Sequence, residues 1–82
     1  MSERNVVAAV ALHARPASGV VAAAGRFQSD VTLVNGDREA NAKSILSVLG
    51  LDVAAGAQIL VRAEGADADA ALDALEAAIA GG

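Results

Sequence analysis

The chain of 82 residues has no cysteine, no tryptophan and no tyrosine, one phenylalanine, one histidine and one proline. Without cysteine there is no disulfide framework, no thiolate metal site and no thiol nucleophile. One histidine with no cysteine supplies too few ligands for structural zinc, and neither a metal nor any other cofactor is expected. The lack of aromatics removes the stacking platform that single-stranded nucleic acid needs. Positive charge is scarce as well: six Lys/Arg stand against ten Asp/Glu, a net charge of −4. That balance opposes binding to nucleic acid or to anionic lipid. No apolar run reaches the roughly 18 residues of a membrane span, and Met1-Ser2-Glu3-Arg4 lacks the basic region and apolar stretch of a signal peptide. No membrane insertion is expected, and the expected location is the cytoplasm.

What is present is small and aliphatic. Alanine fills 22 of the 45 hydrophobic positions, and ten Val, eight Leu and three Ile supply nearly all the large core side chains. Such a chain has room for one domain, residues 1–82, and buries only about 60% of its unfolded surface. No internal repeat or linker interrupts it, and a monomer is expected.

Asn5 to Val10 is short and β-branched and reads as a first strand. Pro16 suits the first turn of a helix and biases Arg15 away from helical geometry. A helix from about Pro16 to Phe27 puts Ala17, Val20, Val21, Ala24 and Phe27 on one face. Val31–Val34 is a second strand. Asn35-Gly36 is a two-residue hairpin signal with both positions asking for positive φ, and Arg38–Ala42 returns as an edge strand. Ser44 is placed to cap one or two helical turns over Ile45–Leu49. Gln58–Ala63 is a fourth strand. Ala68, Leu72, Leu75 and Ile79 form one stripe of a last helix, with Asp67 as its N-cap and Gly81-Gly82 as its end. The order β-α-β-β-α-β-α predicts an α+β fold of two layers, an antiparallel sheet with helices on one face and the other face wet.

One constellation carries chemistry. His13 stands three residues before Pro16, at a strand-to-helix junction. A helix start offers free N–H groups and the positive end of its dipole, a ready anion site. Arg15 adds a permanent positive charge and a bidentate phosphate donor. A lone histidine is more often incidental; a lone histidine beside an arginine at a helix start forms a small phosphate acceptor.

Leu12-His13-Ala14-Arg15-Pro16-Ala17 resembles the active-site signature of HPr, the histidine-containing phosphocarrier of the bacterial phosphotransferase system. Lys43-Ser44-Ile45-Leu46 resembles the family's second signature, which holds a regulatory serine, and residues 66–72 resemble the start of its last helix. The resemblance covers essentially the whole chain. It implies an open-faced β-sandwich, a four-stranded antiparallel sheet of order 1-4-2-3 covered on one face by three helices. It implies that His13 is phosphorylated on Nδ1 by phosphorylated enzyme I, with phosphoenolpyruvate as ultimate donor, and passes the group to sugar-specific IIA domains. Arg15 would stabilise the charge, Pro16 and Ala17 would form the phosphate-binding helix start, and Ser44 would be the regulatory site for a serine kinase and phosphatase. Such a protein is a carrier with a phosphohistidine intermediate rather than a free-standing enzyme.

A carrier must show its histidine to two different active sites, which forbids a deep pocket. The ring must also be neutral to attack, and a helix N-terminus opposes an imidazolium while favouring the phosphoryl anion. Ala14, Ser18, Ile45, Leu46 and Leu49 are therefore expected to form a shallow partner surface, although one of Ile45 and Leu46 is expected in the core. The chain departs from the family at Ala11, where Gly usually precedes Leu-His, and at Val10, where a polar residue is common. Positive φ at Ala11 would cost about 1 kcal/mol. Ala22, Gly25 and Ser47 stand where relatives carry Lys, leaving Arg15, helped by Arg26, to supply positive charge. Two other functions fit the same fold, a nitrogen-branch phosphocarrier and a regulatory binding module acting through Ser44. A third is a small ligand-binding α/β domain without covalent chemistry.

Overall fold

In the computed structural model, which describes residues 1–81, seven elements follow one another. They are β1 (Ser2–Val7), α1 (Ala14–Gly25), β2 (Asp30–Asn35), β3 (Arg38–Asn41), α2 (Ile45–Gly50), β4 (Gln58–Glu64) and α3 (Ala68–Ala80). The strands form one antiparallel sheet in the order β1-β4-β2-β3, the expected topology. Register is fixed by pairs such as Val6 with Ile59, Val31 with Ala63 and Leu33 with Ala40. Because side chains alternate along a strand, Val6, Val31, Leu33, Ala40, Ile59, Val61 and Ala63 all turn to the same, buried face. Helix α3 lies against β1 and β4, α1 packs beside α3, and α2 packs beside α1 and near β3. Leu12, Leu33, Ile59, Leu75 and Ile79 are fully buried; burying each such side chain contributes roughly 1.5–3 kcal/mol.

The first strand begins and ends three residues before its expected range. Its inward positions are Ser2, Arg4 and Val6, so an apolar alternation is missing from its first half. Helix α3 supplies the partners instead: Asp69 accepts from Ser2 Oγ at 3.1 Å, and Asp73 and Glu76 accept from Arg4 at 2.7 and 2.9 Å. After Val7 the chain leaves the sheet. Ala8 N–H donates to Ala57 O, Ala9 N–H to the Ile79 carbonyl near the end of α3, and Leu12 N–H to Val53 O.

Helix α1 starts at Ala14 rather than Pro16, and Arg15 is helical. Proline is tolerated throughout a first turn, because those N–H groups have no intrahelical acceptor in any case. The hairpin turn is shifted by one residue. Asn35 pairs with Arg38, so the two central residues are Gly36 and Asp37. Gly36 has φ of 65° while Asp37 is not among the positive-φ residues, the pattern of a type II′ turn. Ala11 has no positive φ either; among the described non-glycine residues only Asp52 does, at 52°. Alanine before Leu12 therefore carries no left-handed strain.

Asp67 occupies the N-cap position of α3, but its side chain does not cap the helix. The carboxylate reaches across to the α1–β2 connection, accepting from the N–H groups of Gln28 (3.0 Å) and Ser29 (2.9 Å) and from Ser29 Oγ. Ser29 is the one buried polar residue among those described, and this contact satisfies it. The Ser29 hydroxyl first, and then the Gln28 amide, hold the Asp67 carboxyl below the ordinary aspartate range. Gly65, at φ 147°, passes so close to Ser29 that a Cβ there would lie 2.5 Å from its Oγ. Gly81 closes α3, its N–H donating to Ala77 O; the expected second glycine, Gly82, lies outside the described residues.

Candidate functional site

His13 is the N-cap residue of α1, with extended backbone (φ −93°, ψ −168°) and a side chain that makes no capping bond. Its backbone is held on both sides. Leu12, fully buried, anchors the preceding residue through the bond to Val53 O, and His13 O accepts from Ala17 N–H at 2.8 Å. The ring itself is exposed to solvent. A fixed backbone thus presents a free imidazole at the positive end of a 12-residue helix.

The same bond alters the roles expected at the helix start. Pro16 has no N–H, and the Ala17 N–H is already taken by His13 O. The unpaired donors of the first turn are those of Ala14 and Arg15. Two adjacent N–H groups beside an exposed imidazole make an anion cradle, with Pro16 setting its geometry and Ala17 closing the first helical bond.

Charge is distributed unevenly along the chain. Between Glu3 and Asp30 there is no carboxylate, and none occurs from Ala40 to Leu51. Helices α1 and α2 are therefore free of acid, while α3 carries Asp69, Asp73 and Glu76. Arg15 is exposed and, among the described residues, forms no ion pair, unlike Arg4 and Arg62. Arg26 does not join it. That residue caps the opposite end of α1 and stacks over the Phe27 ring at 5.5 Å. A helix of this length separates its ends by about 18 Å. Lys43 is committed as well, its Nζ donating to Phe27 O at 2.9 Å. Arg15 is left as the cation of the site. Among the described residues no three His, Cys, Asp or Glu side chains are grouped to hold a metal ion.

Beside α1, helix α2 turns three large apolar side chains outward: Leu46 is 79% exposed, Leu49 39% and Ile45 38%. The expectation that Ile45 or Leu46 enters the core is not met. A helix of six residues has one inward position here, and Val48, fully buried, takes it while Leu51 follows at the C-cap. Ala14 and Ser18, one turn apart on α1, are also exposed. The residues expected on a partner surface thus fall on two adjoining helices. Ser44 caps α2 as expected, its Oγ accepting from Ser47 N–H at 3.4 Å.

Three contacts that hold α2 in place had no signal in the sequence, because their acceptors are backbone carbonyls far along the chain. Besides Lys43, Asn35 Nδ2 donates to Leu51 O at 3.0 Å and Arg38 Nη1 to Gly50 O at 3.4 Å. The β2–β3 hairpin therefore grips the C-terminal end of the short helix.

Comparison with known proteins agrees with this geometry. A family model described as the PTS HPr component phosphorylation site matches residues 2–81. The phosphocarrier protein HPr of Mycoplasma capricolum is 39% identical over 67 residues, 82% of this chain and 75% of that protein. The phosphocarrier protein NPr of Shewanella violacea is 42% identical over 64 residues, 78% of this chain and 70% of that protein. Among solved structures, HPr from Bacillus anthracis superposes with a TM-score of 0.90 at 35% identity, covering 95% of each chain. An HPr dimer from Thermoanaerobacter tengcongensis superposes at 0.74 and 39% identity, covering 78% of this chain and 74% of that one.

Proposed function

The chain belongs to the HPr family of phosphocarrier proteins, and from that membership we propose that His13 takes a phosphoryl group from phosphorylated enzyme I and yields it to a IIA domain. The observation that carries this reading is the exposed, uncommitted His13 ring at the start of a helix without carboxylates, whose Ala14 and Arg15 N–H groups are unpaired. A neutral imidazole attacks phosphorus with the lone pair of its unprotonated nitrogen. The P–N bond to the donor histidine breaks as the P–N bond to His13 forms, so one phosphoramidate replaces another at similar free energy. The protein contributes position and charge. The two N–H groups, the helix dipole and the Arg15 guanidinium meet the phosphoryl oxygens. Ala14, Ser18, Ile45, Leu46 and Leu49 form the docking surface, and their exposure on adjoining helices supports that role. Regulation through Ser44 by a kinase and phosphatase belongs to the same reading. So do a cytoplasmic location, a monomeric state and a single domain over 1–82. Among the described residues no helix is long and apolar enough to cross a membrane.

The test is incubation with enzyme I and phosphoenolpyruvate. The expected result is a mass gain of one phosphoryl group, labile in acid and lost in His13→Gln. Retained phosphorylation in that variant would overturn the assignment. The NPr relative favours a second reading, the nitrogen-branch carrier. Competition between the enzymes I of the two branches separates them, the faster donor naming the branch. Sedimentation across a concentration range decides between a monomer and a dimer.

A further inference from the structure

Asp52 occupies a place that suits an aspartate badly. Its φ of 52° lies in the left-handed region, where a side chain crowds its own backbone and glycine does not. It directly follows Leu51, the C-cap of α2. Its carboxylate is therefore near the last carbonyls of that helix, where negative charge is disfavoured. Leu51 and Val53 on either side are buried, and Asp52 is exposed between them. Among the described residues it forms no ion pair. A backbone conformation of this kind persists where structure or function holds it, and strain of this kind clusters at working sites.

The backbone at this point joins the two halves of the site. Asp52 N–H donates to the carbonyl of Leu49, one of the residues assigned to docking, at 3.2 Å. The carbonyl of the next residue, Val53, accepts from the N–H of Leu12, the residue before His13, at 3.0 Å. Asp52 and His13 are thus each one residue away from the same hydrogen bond, which sets their Cα atoms on the order of 10 Å apart. Helices α1 and α2 contain no Asp or Glu. Asp52 adds a single exposed carboxylate at their rim, beside the loop that carries the histidine.

We propose that Asp52 is a specificity-determining residue for docking, and that it selects a phosphoryl donor, an enzyme I, with a Lys or Arg set against it. This rests on the phosphocarrier reading of His13. The phosphoryl group arrives on the donor as an anion, which Arg15 attracts and Asp52 repels. A cation on the donor, beside its own phosphohistidine and opposite the C-terminal end of α2, converts that repulsion into an attraction that fixes orientation. A donor that is neutral or acidic at this point leaves the Asp52 carboxylate unpaired as it is covered, and is rejected. Asp52 lies outside the reacting atoms, so the contact is made alike in the docked complex and in the transition state. It therefore acts on KM and leaves kcat alone.

Asp52→Asn tests this, because asparagine keeps the shape, tolerates positive φ equally and removes the charge. Asp30→Asn is the control. It removes the same charge from an exposed residue at the start of β2, beyond the far end of α1. Phosphoryl uptake from phosphorylated enzyme I is measured over a range of chain concentrations, at low and at high salt. In Asp52→Asn the KM is expected to rise several-fold at low salt with kcat unchanged. The gap should close at high salt, where exposed charges are screened. Asp30→Asn should keep the parental KM. An unchanged KM in Asp52→Asn would overturn the proposal, and a lower one would mean that the donor is acidic at that point. A gap that survives high salt, or that Asp30→Asn shares, would also overturn it. A lower melting temperature with the parental KM would make Asp52 part of the helix end alone, against the proposal. Absence of uptake by the parent chain would instead overturn the phosphocarrier reading, and the proposal with it.

Discussion

Helices α1 and α3 lie side by side and are built from much the same small residues, yet their polar groups are spent differently. On α3 the charges are exposed but engaged with the protein's own chain. Asp69, Asp73 and Glu76 hold Ser2 and Arg4 of the first strand, and Asp67 holds the connection between α1 and β2. On α1 nothing is spent. His13 makes no side-chain bond, Arg15 no ion pair, and the Ala14 and Arg15 N–H groups no internal bond. The difference shows how so small a chain divides labour. Polar groups used internally fix an edge strand that lacks its own apolar alternation. Polar groups left unused, on a backbone pinned by Leu12 and the His13 carbonyl, are available to a visiting anion.

The comparison breaks most sharply under substitution of the two helices' key residues. His13→Ala is expected to lose phosphoryl acceptance entirely while its melting temperature stays put. Leu75→Ala on α3, fully buried, is expected to cost about 2–5 kcal/mol of stability. Arg15→Ala should slow transfer about a hundredfold, the effect of removing one positioned donor from developing charge, without unfolding. If it unfolds, Arg15 is structural and the division between the helices fails.

Leu46→Asp tests the outward face of α2. A side chain 79% exposed contributes little to folding, so stability should move by no more than about 0.5 kcal/mol. As an apolar anchor it should raise the Kd for enzyme I by about thirtyfold or more. Titration calorimetry beside thermal melts gives both numbers. A large stability loss with unchanged affinity would return Leu46 to the core.

The acidic helix yields a pH-dependent effect. Asp67 has its folded-state pKa lowered by Ser29 and Gln28. Such a carboxylate stabilises the fold fully above its unfolded pKa, and the contribution is lost as pH falls through the folded value. Asp67→Ala, which also strands the buried Ser29 hydroxyl, should melt well below the parent at neutral pH. The gap should narrow steadily in acid. A gap independent of pH would mean that packing, not the ionised carboxylate, supplies the stability.

How much of this was legible beforehand follows the same line. The stripe Ala68, Leu72, Leu75 and Ile79 and the runs over β2 and β4 read correctly because they bury apolar groups with a regular period. His13 read as chemical because imidazole, arginine and proline at one junction have few bland uses together. Ser2 and Arg4 misled because their inward positions are made tolerable by acids some seventy residues away. The start of α1 was read late because proline fits several first-turn positions equally. The cradle donors followed that error: Ala14 and Arg15, not Pro16 and Ala17, carry the free N–H groups. Asn35, Arg38 and Lys43 were silent as anchors because a backbone carbonyl leaves no mark in a sequence.

The smallest effect separates two roles of one side chain. Ser44 caps α2 through a long bond to Ser47 N–H, so Ser44→Ala should cost about 0.5–1 kcal/mol, the lower end for such caps. Aspartate is as good an N-cap as serine, and negative charge suits a helix start. Ser44→Asp should therefore keep the stability that alanine loses. Its effect on transfer should run the other way. A charge added immediately before Ile45 and Leu46 must be desolvated when a partner covers that apolar face, which has no carboxylate of its own. Phosphorylation of His13 by enzyme I should slow in the Asp variant and stay near the parental rate in the Ala variant. The crossed outcome, Asp stable but slow and Ala fast but less stable, assigns both a cap and a regulatory switch to Ser44. Equal transfer rates in the two variants would leave only the cap.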